Sequence, residues 1–165
     1  MLERLYRHFC RRAPVYLWVL VCLVALSRYY MVSINVSDSL PGVIYLIEKG
    51  TLPEKGELVA FRYAGGGPYE RGSLFLKRVV GVNGSVVSAV EQDEGFKDYY
   101  VDGQFVGRAK PYSKVGLPLP PGPVGVIPKG RYYVAAPNPD SLDSRYAWVG
   151  WVTDEQIVGR AIRIF

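Results

Sequence analysis

Serine and lysine are the residue types in this chain that can form a nucleophile and its base. The sequence of 165 residues holds a single histidine, His8, near its start. A Ser-His-Asp or Cys-His mechanism in the rest of the chain therefore has no base, and a histidine zinc site has no ligand. A lysine can take the place of histidine if burial keeps it neutral. Lys77 is the candidate. It lies in Ser73 to Val82 (SLFLKRVVGV), a largely apolar run that reads as a strand. With alternating side chains, Phe75, Lys77 and Val79 share one face, and Leu74, Leu76, Arg78 and Val80 share the other. Apolar neighbours and the adjacent Arg78 both depress a lysine pKa. At the ordinary value of about 10.4, only about one molecule in a thousand is neutral near physiological pH. A drop of about 2 to 3 units makes a usable base, at about 3 to 4 kcal/mol of stability. The same spacing also fits a lysine whose stem packs on a sheet while its head reaches water.

Ser39 is the candidate nucleophile, in Ser37-Asp38-Ser39-Leu40-Pro41-Gly42. Pro41 biases Leu40 toward an extended backbone and Gly42 permits a turn, which together can present a hydroxyl. Taken alone, this stretch fits a plain polar linker between membrane and domain better.

The elements that must hold these residues read mostly as strands. The chain carries 18 Gly, 12 Pro and 13 Tyr, with 49% apolar residues, which suits short strands and turns around a real core. Val43 to Ile47, Glu57 to Tyr63, Ser85 to Val90, Tyr132 to Ala135 and Ile157 to Ile164 are further strand candidates. Asn83-Gly84 and Asp102-Gly103 are hairpin signals, the first joining Ser73–Val82 to Ser85–Val90. Residues 111–130, with their run of prolines, read as a surface loop. The expected class is all-β: one β domain at 33–165 behind an N-terminal helix at 1–32.

That N-terminal segment carries the compartment signal. Ala13 to Ser27 contains no charge, and with Arg28 snorkelling the span extends to Val32, close to the roughly 20 residues a membrane helix needs. Tyr16 and Trp18 at one end, and Tyr29 and Tyr30 at the other, match interfacial aromatic belts. Arg4, Arg7, Arg11 and Arg12 precede the span and should stay in the cytoplasm, leaving the β domain outside. Net charge is +5, and these four arginines account for most of it, so the charge reads as a topology signal and no nucleic-acid partner is expected. A cleaved secretory signal, cut after Ala25-Leu26-Ser27, is the competing reading, and a buried helix of a soluble protein a third. Cys10 and Cys22 are the two cysteines. Neither can staple the later domain, and no metal spacing or cofactor motif is present.

Three segments, in order, resemble the type I signal peptidases. Ser37-x-Ser39-Leu40-Pro41 resembles their serine box, Leu76-Lys77-Arg78-Val79-Val80-Gly81 their lysine box, and Asn138 to Arg145 (NPDSLDSR) with Tyr146 their late box. The form S-L-P-G-x-x-Y, from Ser39 to Tyr45, is similar to the conjugative-transfer (TraF-like) branch. The resemblance implies a signal-peptidase-like β domain with a transmembrane helix. It also implies a serine endopeptidase in which Ser39 attacks and Lys77 is general base. Ser37 and the Ser39 N–H would form the oxyanion hole, Ser141 would orient Lys77, and Asp143 with Arg145 would brace the site. Ala136-Pro137-Asn138-Pro139 stands where the family has G-D-N-R, so the acidic partner of Arg78 is missing at Pro137. Asp140 or Asp143 is the expected replacement. No cofactor is implied. The implied substrate is an exported precursor, a conjugative pilin in this branch, cleaved beside the inner membrane in the periplasm as part of a conjugation or secretion apparatus. A housekeeping leader peptidase and a catalytically silent scaffold subunit are the rivals. A self-cleaving Ser/Lys repressor would need a DNA-binding module where the apolar segment lies.

Overall fold

The computed structural model describes residues 2–35, 37 and 39–165. Helix α1 spans Leu2–Tyr29 and is followed by a domain built almost wholly of strands. Within α1, the 22 residues His8–Tyr29 have a mean hydropathy of 1.7, lie exposed along their length, and are long and apolar enough to cross a membrane. The side chains of Arg4 and Arg7 lie outside the described residues. The helix stops at Tyr29 and does not reach Val32. Tyr30–Ile34 forms strand β1 and pairs antiparallel with β2 (Ile44–Lys49), Tyr30 opposite Glu48 and Ile34 opposite Ile44. A strand partner for this aromatic and β-branched stretch satisfies its backbone and overrides continuation of the helix. The Lys49 ammonium donates to the Ser27 carbonyl at 2.7 Å, tying the last helical turn to β2. Cations are favoured at this end of a helix.

The remaining strands are β3 (Leu58–Arg62), β4 (Leu74–Gly81), β5 (Val86–Glu91), β6 (Lys97–Val101), β7 (Gln104–Ala109), β8 (Gly125–Val126), β9 (Arg131–Ala135), β10 (Val152–Thr153) and β11 (Ile157–Arg163). They form two sheets, one ordered β1-β2-β11-β3-β4-β9-β10 and one ordered β7-β6-β5-β8. All of the pairings are antiparallel. The domain is thus mostly β, with one long helix ahead of it.

The Asp102-Gly103 signal closes the β6–β7 hairpin, with φ of +51° and +76° at its two central residues. That is the geometry such a pair favours. Asn83-Gly84 behaves differently. A turn forms there, with Ser85 N–H donating to the Val82 carbonyl at 2.9 Å and Gly84 at φ +85°. Yet β4 pairs with β3 and β9, and β5 with β6 and β8. Both edges of β4 are already occupied, so the turn passes the chain from one sheet to the other instead of folding a hairpin. The proline-rich stretch 111–130 runs as a loop, tied by bridges Tyr112–Pro118 and Pro121–Tyr146, and supplies the short β8.

The alternation of β4 sets the core. Leu76 packs with Tyr45, Ile47 and Ala60 on one side, and Val79 with Val59, Phe61 and Val134 on the other. A third cluster, including Val87, Tyr99, Val101 and Tyr133, joins the two sheets.

Candidate active site

Ser37 and Ser39 lie in the loop between β1 and β2, so this segment belongs to the sheet and is no free linker. Asn35 N–H donates to the Val43 carbonyl at 2.8 Å, closing the loop at its base. The Asn35 side chain organises the rest. Its amide donates to the carbonyls of Leu40 (3.0 Å) and Gly42 (3.2 Å), and its oxygen accepts from the Ser37 N–H (3.2 Å) and the Ser37 hydroxyl (3.0 Å). The Tyr45 hydroxyl donates to the Pro41 carbonyl. Gly42 sits at φ +108°, and a Cβ there would lie 2.6 Å from the Arg163 side chain and 3.0 Å from the Phe165 carbonyl oxygen, which accepts from Val43 and Ile44. Leu40 is buried beneath the loop while Ser39 stays half-buried. A buried anchor next to a partly open hydroxyl is how a short loop presents a nucleophile without fraying.

Lys77 is 5% exposed, so its head does not reach bulk water as a packed surface lysine would. Its ammonium lies 5.4 Å from the centre of the Phe75 ring. Phe75 in turn stacks on Tyr63 at 4.9 Å and meets Tyr69 edge-on at 5.3 Å. Burial pulls the Lys77 pKa down to about 8; the nearby Asp143 carboxylate opposes that shift and the Arg145 guanidinium assists it. Desolvation penalises the charged form. Arg78, one residue on, points the other way as alternation requires, is exposed, and donates to the Gly56 carbonyl.

Behind Lys77 lies a buried ion pair. Arg145 and Asp143 meet through two bonds of 2.8 Å, with side chains 2% and 0% exposed. Arg145 also donates to the carbonyls of Arg108 (3.0 Å), Asn138 (3.3 Å) and Ser141 (3.4 Å), and Asp143 accepts from the Ala136 N–H (3.1 Å). Ser141 is buried, and its hydroxyl has no hydrogen-bond partner among the described residues. Asp140 is held by Lys110 and Lys114, and Asp143 by Arg145. The expectation that one of these carboxylates pairs with Arg78 is therefore corrected: nearer cations have taken both, and Arg78 turns to a backbone carbonyl instead.

A cleft of about 330 Å³ gathers Ser37, Ser39, Lys77 and Ser141, with Ser33 to Asn35 of the β1 end on one side and Ser73 to Leu76 of β4 on the other. Asp143 and Arg145 stand in the structure behind it. On the far side of Ser39 a broader groove, bordered by Pro137 to Pro139, also reaches the serine. Serine hydroxyls and a lysine of lowered pKa, lining one cleft, are the kinds of group that acyl transfer requires. No cluster of His, Cys, Asp and Glu suited to a metal occurs among the described residues. Sequence reasoning overlooked Asn35, although an Asn two residues before a serine is a recurrent turn signal. It also overlooked Tyr69, which lines the cleft from the glycine-rich loop and carries no motif of its own.

An apolar helix running straight into a twisted β domain, with a serine-bearing loop and a buried lysine on one cleft, is compatible with a signal-peptidase-like fold. The family model described as "Signal peptidase, peptidase S26" matches residues 9–165, and the chain belongs to that family. No curated protein matches the chain. Members of the family are serine endopeptidases that act on exported precursors, and the N-terminal helix fits a single-pass membrane protein.

Proposed function

We propose that the chain is a membrane-anchored leader peptidase working through a Ser39/Lys77 dyad. The observation that carries this reading is that Ser39 and a buried, pKa-depressed Lys77 border the same cleft. A precursor lies extended between the β1 end and β4. Ser39 Oγ attacks the scissile carbonyl while Lys77 Nζ takes its proton, and the same proton passes to the departing amine. At pH 7, with a pKa of about 8, roughly a tenth of Lys77 is already neutral. The Ser39 N–H and the Ser37 hydroxyl stabilise the oxyanion. For this, Ser37 turns its proton away from Asn35, to which it donates in the resting arrangement. The Ser141 hydroxyl, which has no partner among the described residues, accepts from the lysine ammonium when it forms. Asp143 and Arg145 hold the wall that carries Ser141, since Arg145 grips the Ser141 carbonyl.

The form S-L-P-G-x-x-Y supports the conjugative branch, with a pilin precursor as substrate and the β domain at the outer face of the inner membrane. The anchor and Ser39 are separated by a single strand, which favours cleavage close to the bilayer, where a tethered precursor is concentrated. The acyl-enzyme is resolved by water or by the product's own amine.

The test is processing of a co-expressed pilin-type precursor in membranes by wild type, Ser39→Ala and Lys77→Ala, followed by product mass. The expected result is loss of processing by about a thousandfold or more in both variants, with the fold intact. A product one water lighter than the linear form marks cyclisation. Full processing by Ser39→Ala would sink the catalytic reading in favour of a scaffold subunit.

A further inference from the structure

Outside the cleft, a preformed apolar groove of about 500 Å³ opens beneath the proline-rich loop, where the start of β6 meets the end of β7. Tyr112, Leu117, Leu119 and Trp148 line it together with loop prolines, and Lys97 and Lys110 add charge. The loop spends its own polar groups internally. Leu119 N–H donates to the Pro111 carbonyl at 2.8 Å, Ser113 N–H to Leu117 at 2.9 Å, and Gly116 N–H to Ser113 at 3.0 Å. A rigid loop of this kind holds the groove open without an ordering cost at binding. Tyr112 is 60% exposed and Leu117 38%. The Ser/Lys chemistry uses none of these residues.

Two contacts link the groove to the cleft. Lys110 lines the groove and holds the Asp140 carboxylate, which lines the cleft, while Lys114 binds the other Asp140 oxygen at 2.7 Å. Trp148 lines the groove and packs on the loop that carries Tyr69, for a Cβ at Gly67 would lie 2.7 Å from its indole ring. Tyr69 lines the cleft. The charge is one-sided at this border. The charged residues that line the groove are both lysines, Lys97 and Lys110, and Lys97 has Glu91 only at 3.7 Å. An occupant that is extended, apolar and acidic suits both the floor and the lysines.

We propose that this groove is an exosite for an extended apolar and acidic segment of the precursor, lying beyond the residues held in the cleft. The inference rests on the peptidase reading above. It assigns the groove a part in choosing substrates that is separate from the recognition of the cut site. About ten extended residues span about 33 Å, enough to leave the cleft and lie along a neighbouring groove.

The test compares a short fluorogenic Ala-x-Ala reporter with the same reporter carrying a ten-residue Leu/Pro/Glu extension at either end, and a Leu/Pro/Lys control. The proteins are the full-length chain in detergent micelles and its Tyr112→Ala/Leu117→Ala variant. For wild type, one placement of the Glu extension should lower KM by about tenfold. The variant should lose that gain while cleaving the short reporter at the wild-type rate. Anisotropy of the labelled Glu extension on the Ser39→Ala protein should follow the same order. Three results overturn the exosite: equal KM for short and extended reporters, an equal loss on both in the variant, or a Lys extension that binds as well as the Glu one. If wild type cleaves neither reporter, the catalytic reading fails, and the anisotropy still decides the groove.

Discussion

Two arginine–carboxylate pairs in this protein share a chemistry and differ in their surroundings. Arg108 and Asp98 pair across β7 and β6 through bonds of 2.6 and 2.8 Å, with the Arg108 side chain 53% exposed. Arg145 and Asp143 pair just as closely behind the cleft, with almost no exposure. In the first pair the arginine end is open to solvent, where water and salt screen it, while Asp98 is largely buried. The second sits where its charges must be answered by protein groups, and it recruits three backbone carbonyls and two backbone N–H groups, those of Ala136 and Arg145, to do so. Between them lies β7, whose Arg108 carries a surface charge on its side chain and offers its carbonyl to Arg145. The four-stranded sheet therefore supports the cleft through a backbone carbonyl of β7.

The comparison is broken most directly by Arg145→Met. Leaving Asp143 buried and unpaired should cost about 3 to 5 kcal/mol, measured as a fall in the denaturant midpoint of the detergent-solubilised protein. A loss near zero would make the two pairs equivalent. Lys77→Met comes next, with the opposite sign. The folded pKa of about 8 lies below the ordinary 10.5, so the folded chain binds fewer protons between those values and wild-type stability rises with pH across that window. Below pH 8 the charged lysine opposes folding by about 3 kcal/mol, which Lys77→Met should recover. The gain should vanish above about pH 10.5, and wild-type kcat/KM should climb as pH rises through about 8. A gain independent of pH would mean that the methionine simply packs better.

Gly107→Ala sharpens the link between the sheets. Gly107 has φ +153°, and a Cβ would lie 2.7 Å from the Arg145 guanidinium. The expected cost is about 1 to 3 kcal/mol, with a parallel fall in activity because Arg145 is displaced. Stability loss with unchanged kcat/KM would detach β7 from the site. The smallest effect is expected for Arg108→Met, a fall in the thermal midpoint well short of that of Arg145→Met and smaller still at high salt, because the arginine end of the pair is open to solvent.

Residue types alone narrowed the reactive groups to serine and lysine, while the pairing of Ser39 with Lys77 and the inclusion of Ser37, Ser141, Asp143 and Arg145 came from the resemblance of three segments to a family. The lack of a histidine after His8, the apolar setting of Lys77 and its alternation with Arg78 are properties of local sequence, and the burial of Lys77 with Arg78 exposed agrees with them. Asp102-Gly103 was legible because a two-residue turn holds its own geometry. Asn83-Gly84 misled because a turn fixes a change of direction, while strand pairing depends on which edges distant segments have already taken. The end of α1 was misplaced for the same reason: Tyr30 to Val32 suit a membrane helix until β2, more than ten residues later, offers them a ladder. The partner of Arg78 was misjudged because Lys110 and Lys114 reach Asp140 from a loop thirty residues away.

By itself the sequence determined the repertoire: an apolar helix, a strand-rich domain, and serine and lysine as the available reactive groups. Those follow from hydrophobic period, turn chemistry and the pKa values of side chains, all of them local. Only the tertiary structure decided that β1 and β4, with three strands between them in their sheet, face one cleft, and that Ser141 lies in it without a hydrogen-bond partner among the described residues. It also decided that Arg145 is anchored by a carbonyl of the other sheet. The reason is physical: desolvation and hydrogen-bond satisfaction depend on what is packed around a group, and most of what surrounds Lys77 and Arg145 comes from distant parts of the chain.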